Sequence, residues 1–416
     1  MSKFIFPATP FATAAKLAAQ SSISDPVQEF LSESYEFRRN TVSGKIEFRV
    51  RASNNVCSLP AQQVAAPEAQ QPFRPFNLED LNSVLLAIGE ALPGEKRLRE
   101  RVTTIVNSRR TPDFNPAVGY FDALPAWDSK NHVGKFIDRL PGITTKQRYW
   151  LHLWLQGMVA QALQLNALHG NELVLTLIGD QGCGKSTFCR ILLPPELREY
   201  YLDHVNLANK FDKEMALTNN YVVNVDELEQ VKRSQQAELK QLITKYRANG
   251  RPIYGRSQVD RPRVASFVAT TNNRHPLHDP TGSRRFLCVE IPSGAIIDYE
   301  SPVDYQQLYA QLLHELRHGE RYWLTDEEAR EMQRHNARYQ STLDLERIVD
   351  DCFRRPAPDE PCQPLTMSVI IDIISRNYTF IQPNHSTKSQ LGKVLMATGF
   401  EQRRDTFGVS YFVVQR

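Results

Sequence analysis

One short segment constrains the fold of this chain more than any other feature. The segment GDQGCGKST begins at Gly179, directly after the apolar run 173–178, and the helix-forming sequence STFCRILL overlaps its end. Gly179, Gly184, Lys185 and Ser186 satisfy the pattern GxxxxGK[ST], which requires a strand before it and a helix after it. The segment therefore predicts an α/β fold that binds a nucleoside triphosphate at this strand-to-helix turn.

Each part of the segment has chemistry that suits phosphate. The glycines let backbone N–H groups turn inward around phosphate oxygens, and the following helix points its positive end at the same anion. We expect Lys185 to reach the β- and γ-phosphates and the Ser186 hydroxyl to bind Mg²⁺. The predicted cofactors are ATP and Mg²⁺. The predicted nucleotide-binding residues are Gly179, Asp180, Gln181, Gly182, Cys183, Gly184, Lys185, Ser186 and Thr187.

Two acidic residues end the β-rich run 221–225. We expect Asp226 to hold the magnesium ion through its water shell and Glu227, as general base, to orient the attacking water. Any strand end can carry two acids, but the short separation from Lys185 leaves room for little more than one strand–helix layer. The pair favours hydrolysis over phosphate transfer to a second substrate.

A third apolar run, residues 264–273, ends in polar residues, and Asn272 there is predicted to contact the γ-phosphate or the attacking water. Arg284 and Arg285 precede a fourth run. Paired arginines beside a strand can be a solvated edge, but in ring ATPases this position supplies an arginine finger that stabilises transition-state charge in a neighbour's site. We favour the finger, which implies an oligomer.

The segment 232–264, called the basic segment here, carries nine Lys or Arg against two Asp or Glu, a net charge of +7 in a chain whose total is +3. Gly250 and Gly255 bracket a predicted hairpin, with Tyr246 and Tyr254 beside it. Basic residues among aromatics suit backbone contacts and base stacking on single strands. The alternative is a solvated helix face with salt bridges. The predicted nucleic-acid contacts are Lys245, Arg247, Arg251 and Arg256.

Composition narrows the cellular context. Six scattered cysteines without a CxxC pair argue against a disulfide framework and a zinc site, and fit a reducing compartment. No run of about eighteen apolar residues exists, so we predict no membrane span and a cytoplasmic protein.

Local patterns predict several further elements. Asp25 can cap a helix over PVQEFLSES, and YEFRRN, VSG and KIEFRVR read as a hairpin. LEDLNSVLLAIGEAL is predicted to be helical, as is RYWLHLWLQGMVAQALQLNALHG, with Gly170 as its cap and Trp150 and Trp154 in the core. Thr325 and Glu328 form a capping-box signature. Helices around MSVIIDIIS and KSQLGKVLMATG, then the strand VSYFVV, suggest a small winged-helix-like domain.

These patterns predict six regions. They are an N-terminal tail with a helix–hairpin module (1–51), a linker (52–76), a helical domain (77–170), a P-loop ATPase core (171–295), a helical extension (296–350) and a winged-helix-like C-terminal domain (351–416).

The combination of GDQGCGKST, VDELE and the downstream runs RPIYGR, FVATTN and DPTGSRRF resembles the virulence-associated protein E family, P-loop ATPases related to superfamily 3 helicases of phages, plasmids and genomic islands. The flank FNPAVGYFDALPAWDSKNHVGKFIDRLP is similar to a family segment with a Leu-Pro-Trp-Asp core, although Ala126 here separates Pro125 from Trp127. The resemblance covers about residues 80–300.

The resemblance implies an AAA+-type core in a hexameric ring, with the hairpin before Ala265 lining a channel. It assigns phosphate and metal binding to Lys185 and Ser186 and hydrolysis to Asp226 and Glu227. Asn272 becomes the sensor, and Arg284 or Arg285 the finger. Many relatives are fused to a primase, for which residues 1–76 are too short, so we expect the primase to be a separate protein.

The favoured function is thus an ATP-hydrolysing motor on single-stranded or duplex DNA, replicative for a mobile element or phage. A first alternative is a non-translocating AAA+ switch in defence or regulation. A second is a small-molecule kinase, which needs no oligomer.

Overall fold

The computed structural model describes most of the chain. The described residues are 25–51, 71–165, 169–207, 209–228, 233–250, 259–277, 283–340, 345–357, 360–378, 381, 384–405 and 408–416. The chain divides into two compact units, Met1–Tyr339 and Gln340–Arg416. No helix among these residues is long and apolar enough to cross a bilayer.

The first unit begins with a small antiparallel hairpin that helices cover. Its elements are α1 (Pro26–Ser34), β1 (Tyr35–Asn40), β2 (Ile46–Val50), β3 (Arg74–Pro75), α2 (Leu78–Ala91), α3 (Leu98–Asn107) and β4 (Asp113–Phe114). The strands form one sheet in the order β3-β2-β1-β4. The predicted cap of α1 is confirmed, because the Asp25 carboxylate accepts a 3.0 Å hydrogen bond from the Val27 N–H. The predicted hairpin is confirmed as the antiparallel pair β1–β2.

The helices that follow divide between two cores. They are α4 (Pro116–Asp122), α5 (His132–Ile137) and α6 (Thr145–Ala162). Helices α2 and α3 bury Val84 and Val102 with Phe48 of the small sheet. Helices α4 to α6 instead contribute Phe121, Phe136 and other apolar side chains to a second, larger core. The predicted domain boundaries stay predictions.

Helix α6 ends earlier than its sequence predicts. Gln164 adopts a left-handed conformation with φ 57°, and the Leu165 N–H reaches back to the Ala160 carbonyl at 2.8 Å. This is a Schellman ending, which normally uses glycine at the left-handed position. The prediction that Gly170 caps this helix is therefore wrong.

A five-stranded parallel sheet is the centre of the first unit. In chain order its region contains β5 (Val174–Ile178), α7 (Lys185–Ile191), β6 (Tyr201–Leu202), α8 (Lys210–Asn219), β7 (Val222–Val225), α9 (Arg233–Thr244), β8 (Arg247–Gly250), β9 (Val259–Pro262), β10 (Ser266–Thr271) and β11 (Phe286–Glu290). The sheet order is β11-β5-β10-β7-β6, and β8 with β9 forms a separate antiparallel hairpin. The predicted mixed α/β fold is confirmed.

Both faces of this sheet are buried, as parallel sheets require. Leu175 and Leu177 of β5 point into the core that holds Trp150 and Trp154, whose predicted core placement is confirmed. Val174 and Ile178, on the opposite face, join a core shared with α8 and α9. Because side chains alternate along a strand, β5 is packed on both faces. This packing fixes the position from which the following loop starts.

Two helices complete the first unit, α10 (Tyr305–Arg317) and α11 (Asp326–Asn336). The predicted capping box at α11 is confirmed, because Thr325 and Glu328 bond reciprocally. Short 3₁₀ turns span Pro195–Tyr200, Ser283–Arg285 and Ala337–Tyr339.

The described residues of the second unit form three helices and short strands. They are α12 (Leu345–Cys352), β12 (Phe353–Arg354), β13 (Leu365–Thr366), α13 (Met367–Asn377), α14 (His385–Ala397), β14 (Gln402–Asp405), β15 (Gly408–Tyr411) and β16 (Val414–Gln415). The predicted terminal strand is interrupted, since β15 pairs with β13 and β14 whereas β16 pairs with β12. The winged-helix assignment stays a prediction.

Candidate functional site at the carboxyl edge of the parallel sheet

A polar cavity of about 340 Å³ lies beyond the carboxyl ends of β5, β7 and β10. Open parallel sheets bind their ligands in this position. Most of the predicted nucleotide and catalytic residues line it. The lining residues are Gln181, Gly182, Gly184, Lys185, Ser186, Thr187, Asp226, Glu227, Thr270, Thr271, Asn272 and Tyr299.

The loop after β5 depends on two glycines. Gly182 and Gly184 have φ of 82° and 91°, in the left-handed region that side chains avoid. Lys185 follows, with only 8% of its surface exposed. Its ammonium donates to the carbonyls of Gly179 and Asp180, each at 2.8 Å. The loop therefore holds its own lysine on the inner wall of the cavity.

The lysine also connects the loop to a neighbouring strand. Lys185 Nζ donates to Asn272 Oδ1 at 2.9 Å, and Asn272 directly follows β10, which pairs in parallel with β5. The structure thus brings Asn272 to the loop, although it lies 87 positions after Lys185 in the sequence.

The acidic pair is held from the side by β10. Asp226 accepts a hydrogen bond from the hydroxyl of Thr270, because the β10–β7 register places Ala269 opposite Val225 and thus Thr270 beside Asp226. Glu227 adopts φ 51°, uncommon for a residue with a side chain. Such strain persists only where the surroundings impose it, and it often marks functional positions. Thr270 was missed from the sequence; its signal is a threonine at the end of an adjacent strand.

A segment after β11 forms the opposite flank of the loop. The Ile291 N–H donates to the Ile178 carbonyl at 2.7 Å, and the Ile297 N–H donates to the Cys183 carbonyl at 3.0 Å. Ser293 Oγ donates to Asp180 Oδ2 at 2.7 Å, and this bond is the main cause that lowers the pKa of Asp180. Asp180, predicted to bind nucleotide, thus fastens the loop to this segment.

The predicted arginines lie at the opposite edge of the sheet, called the amino edge because the parallel strands begin there. Arg284 and Arg285 precede β11, whose Phe286 pairs with Val174 at the start of β5. The length of β5, roughly 16 Å for five residues, separates them from the loop after Ile178. The structure therefore does not bring either arginine to the cavity of its own chain.

The arginines line a second cavity of about 430 Å³ at this amino edge. Trp323 lines it too, with its ring stacked on His169 at 4.1 Å between centroids. Arg284 is exposed and Arg285 is half-buried. The Nε of Arg285 is buried and makes no hydrogen bond to the described residues.

The basic segment carries less uncompensated charge than its sequence suggests. Lys245, predicted to contact nucleic acid, pairs with Glu214 of α8. Glu214 lies outside the basic segment, so a count along the sequence cannot include it. Arg247 is exposed at the start of β8. The predicted contacts Arg251 and Arg256 lie outside the described residues, as does the tip of the predicted hairpin, whose two strands β8 and β9 are confirmed.

Two further basic side chains of this segment are structural. Arg263 is 1% exposed and donates to the carbonyls of Ala265 at 2.8 Å and Asn171 at 2.5 Å, and to that of Ile243. Burial lowers its pKa to about 10. Arg261 donates to Thr218 Oγ1 at 2.6 Å. Arg263 is therefore not available to a nucleic acid, and Arg261 is half-buried.

Comparison with known proteins matches the sequence of this chain to a family. The sequence model of the virulence-associated protein E-like domain matches residues 121–341, more than half of the chain. None of the curated protein sequences is significantly similar to this one.

Several solved structures are similar at low sequence identity. The A-form apo structure of the NrS-1 C-terminal region is 13% identical, with a TM-score of 0.41 over 93% of this chain and 98% of that chain. A second apo structure of this region is 12% identical, with a TM-score of 0.43 and the same coverage. An SCCmec type IV Cch protein, described as an active helicase, is 10% identical, with a TM-score of 0.34 over 91% of this chain and 92% of that chain.

Proposed function

This chain belongs to the virulence-associated protein E-like family, and we propose that it is an ATP-hydrolysing, helicase-like motor that acts on DNA of a mobile element or phage. In this proposal residues 171–295 of the first unit are a P-loop core of the AAA+ type. Residues 351–416 of the second unit, where α13 and α14 precede the strand pair β14–β15, are a winged-helix-like domain in this proposal.

One observation carries the proposal. Lys185, Asp226, Glu227 and Asn272 come from three separate strand ends, yet all four line one cavity. Hydrolysis of a phosphoanhydride needs a cation at the phosphates, a base for water and a polar group near the transferred phosphate. Lys185 supplies the cation, Glu227 the base, and Asn272 the polar group. A small-molecule kinase would need a second substrate site as well.

The same cavity suits Mg²⁺. The Ser186 hydroxyl and the Asp226 carboxylate both line it, and hard oxygen ligands are those that Mg²⁺ prefers. A magnesium ion, when bound, neutralises charge on the β- and γ-phosphates. The hydrogen bond from Thr270 orients the Asp226 carboxylate for this purpose.

The position of the arginines supports an oligomer. In this proposal a neighbouring copy places Arg284 beside the γ-phosphate, and the functional assembly is a homo-oligomeric ring, with a hexamer as the family expectation. Arg284 is the better candidate for the finger because it is exposed, whereas Arg285 is half-buried.

The DNA-binding part of the proposal rests on the β8–β9 hairpin. Tyr246, 50% exposed, stands directly before the exposed Arg247 at the base of this hairpin. An aromatic ring beside a guanidinium suits stacking and phosphate contact on a single strand.

The alternative of a non-translocating switch has its own support. The Lys245–Glu214 ion pair and the buried Arg263 reduce by two the cations that the basic segment can offer to a nucleic acid. A switch needs nucleotide and assembly but no strand contact.

One experiment separates the two functions. Phosphate release is measured at low salt with and without single-stranded DNA, using Glu227→Gln as the hydrolysis control. A motor is stimulated by the strand, and Arg247→Glu removes the stimulation while leaving basal hydrolysis intact. Robust hydrolysis that is indifferent to DNA would replace the motor with the switch. Absence of hydrolysis in the wild type would reject both.

A further inference from the structure

Tyr299 lines the cavity, but it belongs neither to the phosphate-binding loop nor to the predicted catalytic residues. It is the one aromatic side chain among the described residues that line the cavity. It lies on the segment after β11, on the flank opposite Asp226, Glu227 and Asn272, because β11 and β10 pair with opposite edges of β5.

The ring is placed directly against the loop. A Cβ atom built on Gly184 would lie 2.7 Å from both Cδ1 and Cε1 of Tyr299. Gly184 therefore leaves the space that the ring occupies, in addition to supplying the left-handed turn. Tyr299 is half-buried, so part of its surface faces the cavity.

The backbone around Tyr299 is anchored on both sides. Arg139 donates to the carbonyls of Asp298 at 3.1 Å and Pro302 at 3.0 Å, and its own carbonyl accepts from the Asp298 N–H at 3.2 Å. On the other side, Ile297 is bonded to the loop through the Cys183 carbonyl. A backbone segment held in this way needs little ordering when a ligand arrives, which favours binding.

We propose that Tyr299 is the platform on which the nucleobase of the bound nucleotide stacks. This inference rests on the proposed nucleotide site. The flank with Asp226, Glu227 and Asn272 carries the groups that act on the terminal phosphate. The nucleoside, at the other end of the triphosphate, then extends toward the flank of Tyr299, where an aromatic face is available.

Base–aromatic stacking tolerates any base, because every base has a π-face. The phosphates do not take part in it. Removal of the ring should therefore weaken the binding of a nucleotide but not the binding of an inorganic triphosphate. This difference in affinity identifies the platform.

The test compares two ligands by calorimetry, ATP and inorganic tripolyphosphate, both with Mg²⁺, on the full chain. The variants are Tyr299→Ala, Tyr299→Phe and Ile296→Ala. Ile296 is a matched control, since it is an apolar side chain on the same segment, 67% exposed, and it does not line the cavity.

We expect Tyr299→Ala to lower the affinity for ATP about tenfold, which corresponds to ~1.4 kcal/mol, and to leave the affinity for tripolyphosphate unchanged. Tyr299→Phe keeps the ring and binds ATP as the wild type does, as does Ile296→Ala. Equal weakening of both ligands would show that Tyr299 only shapes the loop, and unchanged ATP affinity would show that it does not touch the nucleotide. Either result overturns the platform.

A Lys185→Ala arm distinguishes this failure from failure of the nucleotide site itself. Loss of both ligands in Lys185→Ala together with unchanged ATP affinity in Tyr299→Ala rejects the platform alone. A wild type that binds neither ligand rejects the nucleotide site and the platform with it.

Discussion

The two edges of the parallel sheet carry different functional side chains. The carboxyl edge gathers Lys185, Asp226 and Asn272 around one cavity, through the parallel register of β5, β7 and β10. The amino edge holds Arg284 and Arg285 beside a different cavity. A parallel sheet cannot bring its two edges together, so one chain supplies two incomplete halves of the proposed hydrolytic machinery. A second copy of the chain can join them.

The largest expected effect tests whether the edges cooperate between copies. Arg284→Ala should lower ATP hydrolysis by about 10³-fold, since an arginine finger contributes at least that much. A mixture of Arg284→Ala with Lys185→Ala should recover part of the activity, because one copy then supplies the intact carboxyl edge and the other the intact arginine. Phosphate release measured over mixing ratios checks this.

Arg285→Ala serves as the comparison for the neighbouring position and should cost less, because Arg285 is half-buried. Full activity in Arg284→Ala, or a mixture no better than its components, would show that the amino edge has no part in hydrolysis.

A second prediction tests how the amino edge is held together. Arg263→Met should lower the free energy of unfolding by about 3 kcal/mol, because it leaves the carbonyls of Ala265, Ile243 and Asn171 without their donor. Urea denaturation measures the loss. Arg247→Met, an exposed site in the same segment, should change stability by less than about 0.5 kcal/mol. Equal losses in the two variants would contradict the structural role of Arg263.

A third prediction concerns the carboxyl edge alone. Thr270→Val removes the hydroxyl that bonds to Asp226 while keeping the shape of the side chain. We expect kcat for ATP to fall about tenfold, which corresponds to ~1.4 kcal/mol of barrier, with little change in stability. Thr270→Ser keeps a hydroxyl and should recover most of the activity. A Thr270→Val enzyme as active as the wild type would mean that this bond does not orient Asp226.

The smallest expected effect concerns Glu328 at the amino edge. Glu328 forms the capping box with Thr325, and Thr325 lines the cavity at this edge. A hydrogen bond from Arg321 is the main cause that lowers the pKa of Glu328 to about 2. Because the folded pKa lies below that of the unfolded chain, this stabilisation is complete above about pH 4.5 and is lost as the pH falls toward 2. Glu328→Gln should therefore cost about 1 kcal/mol at pH 7, after solvent screening, and nearly nothing at pH 2. A cost independent of pH would contradict this charge effect.

The sequence predicted the parts of the site that depend on local patterns. The loop glycines, Lys185, Asp226 and Asn272 each follow an apolar run, and the carboxyl ends of parallel strands meet at one edge. The Thr270–Asp226 bond depends on the register between two strands 44 residues apart, which no local pattern specifies. Tyr299 reaches the cavity only because the chain returns across the loop after β11.

The charges of the basic segment show a different limit. A count along the sequence treats Lys245 and Arg263 as equivalent cations. In the structure one pairs with a carboxylate of α8, and the other is buried among backbone carbonyls. Burial and ion pairing depend on the tertiary structure. The sequence therefore locates the segment with a net charge of +7, but it does not show how many of these cations remain accessible to a ligand.

The fastening of the β8–β9 hairpin has a mechanical consequence. Arg261 and Lys245, at the base of the hairpin, are both bound to α8, through Thr218 and Glu214. Helix α8 leads within three residues into β7, and Asp226 directly follows the end of β7 at Val225. The strands of the hairpin and the two carboxylates are thus joined through one helix and one strand, so the proposed strand contact and the proposed hydrolytic site share a single mechanical support.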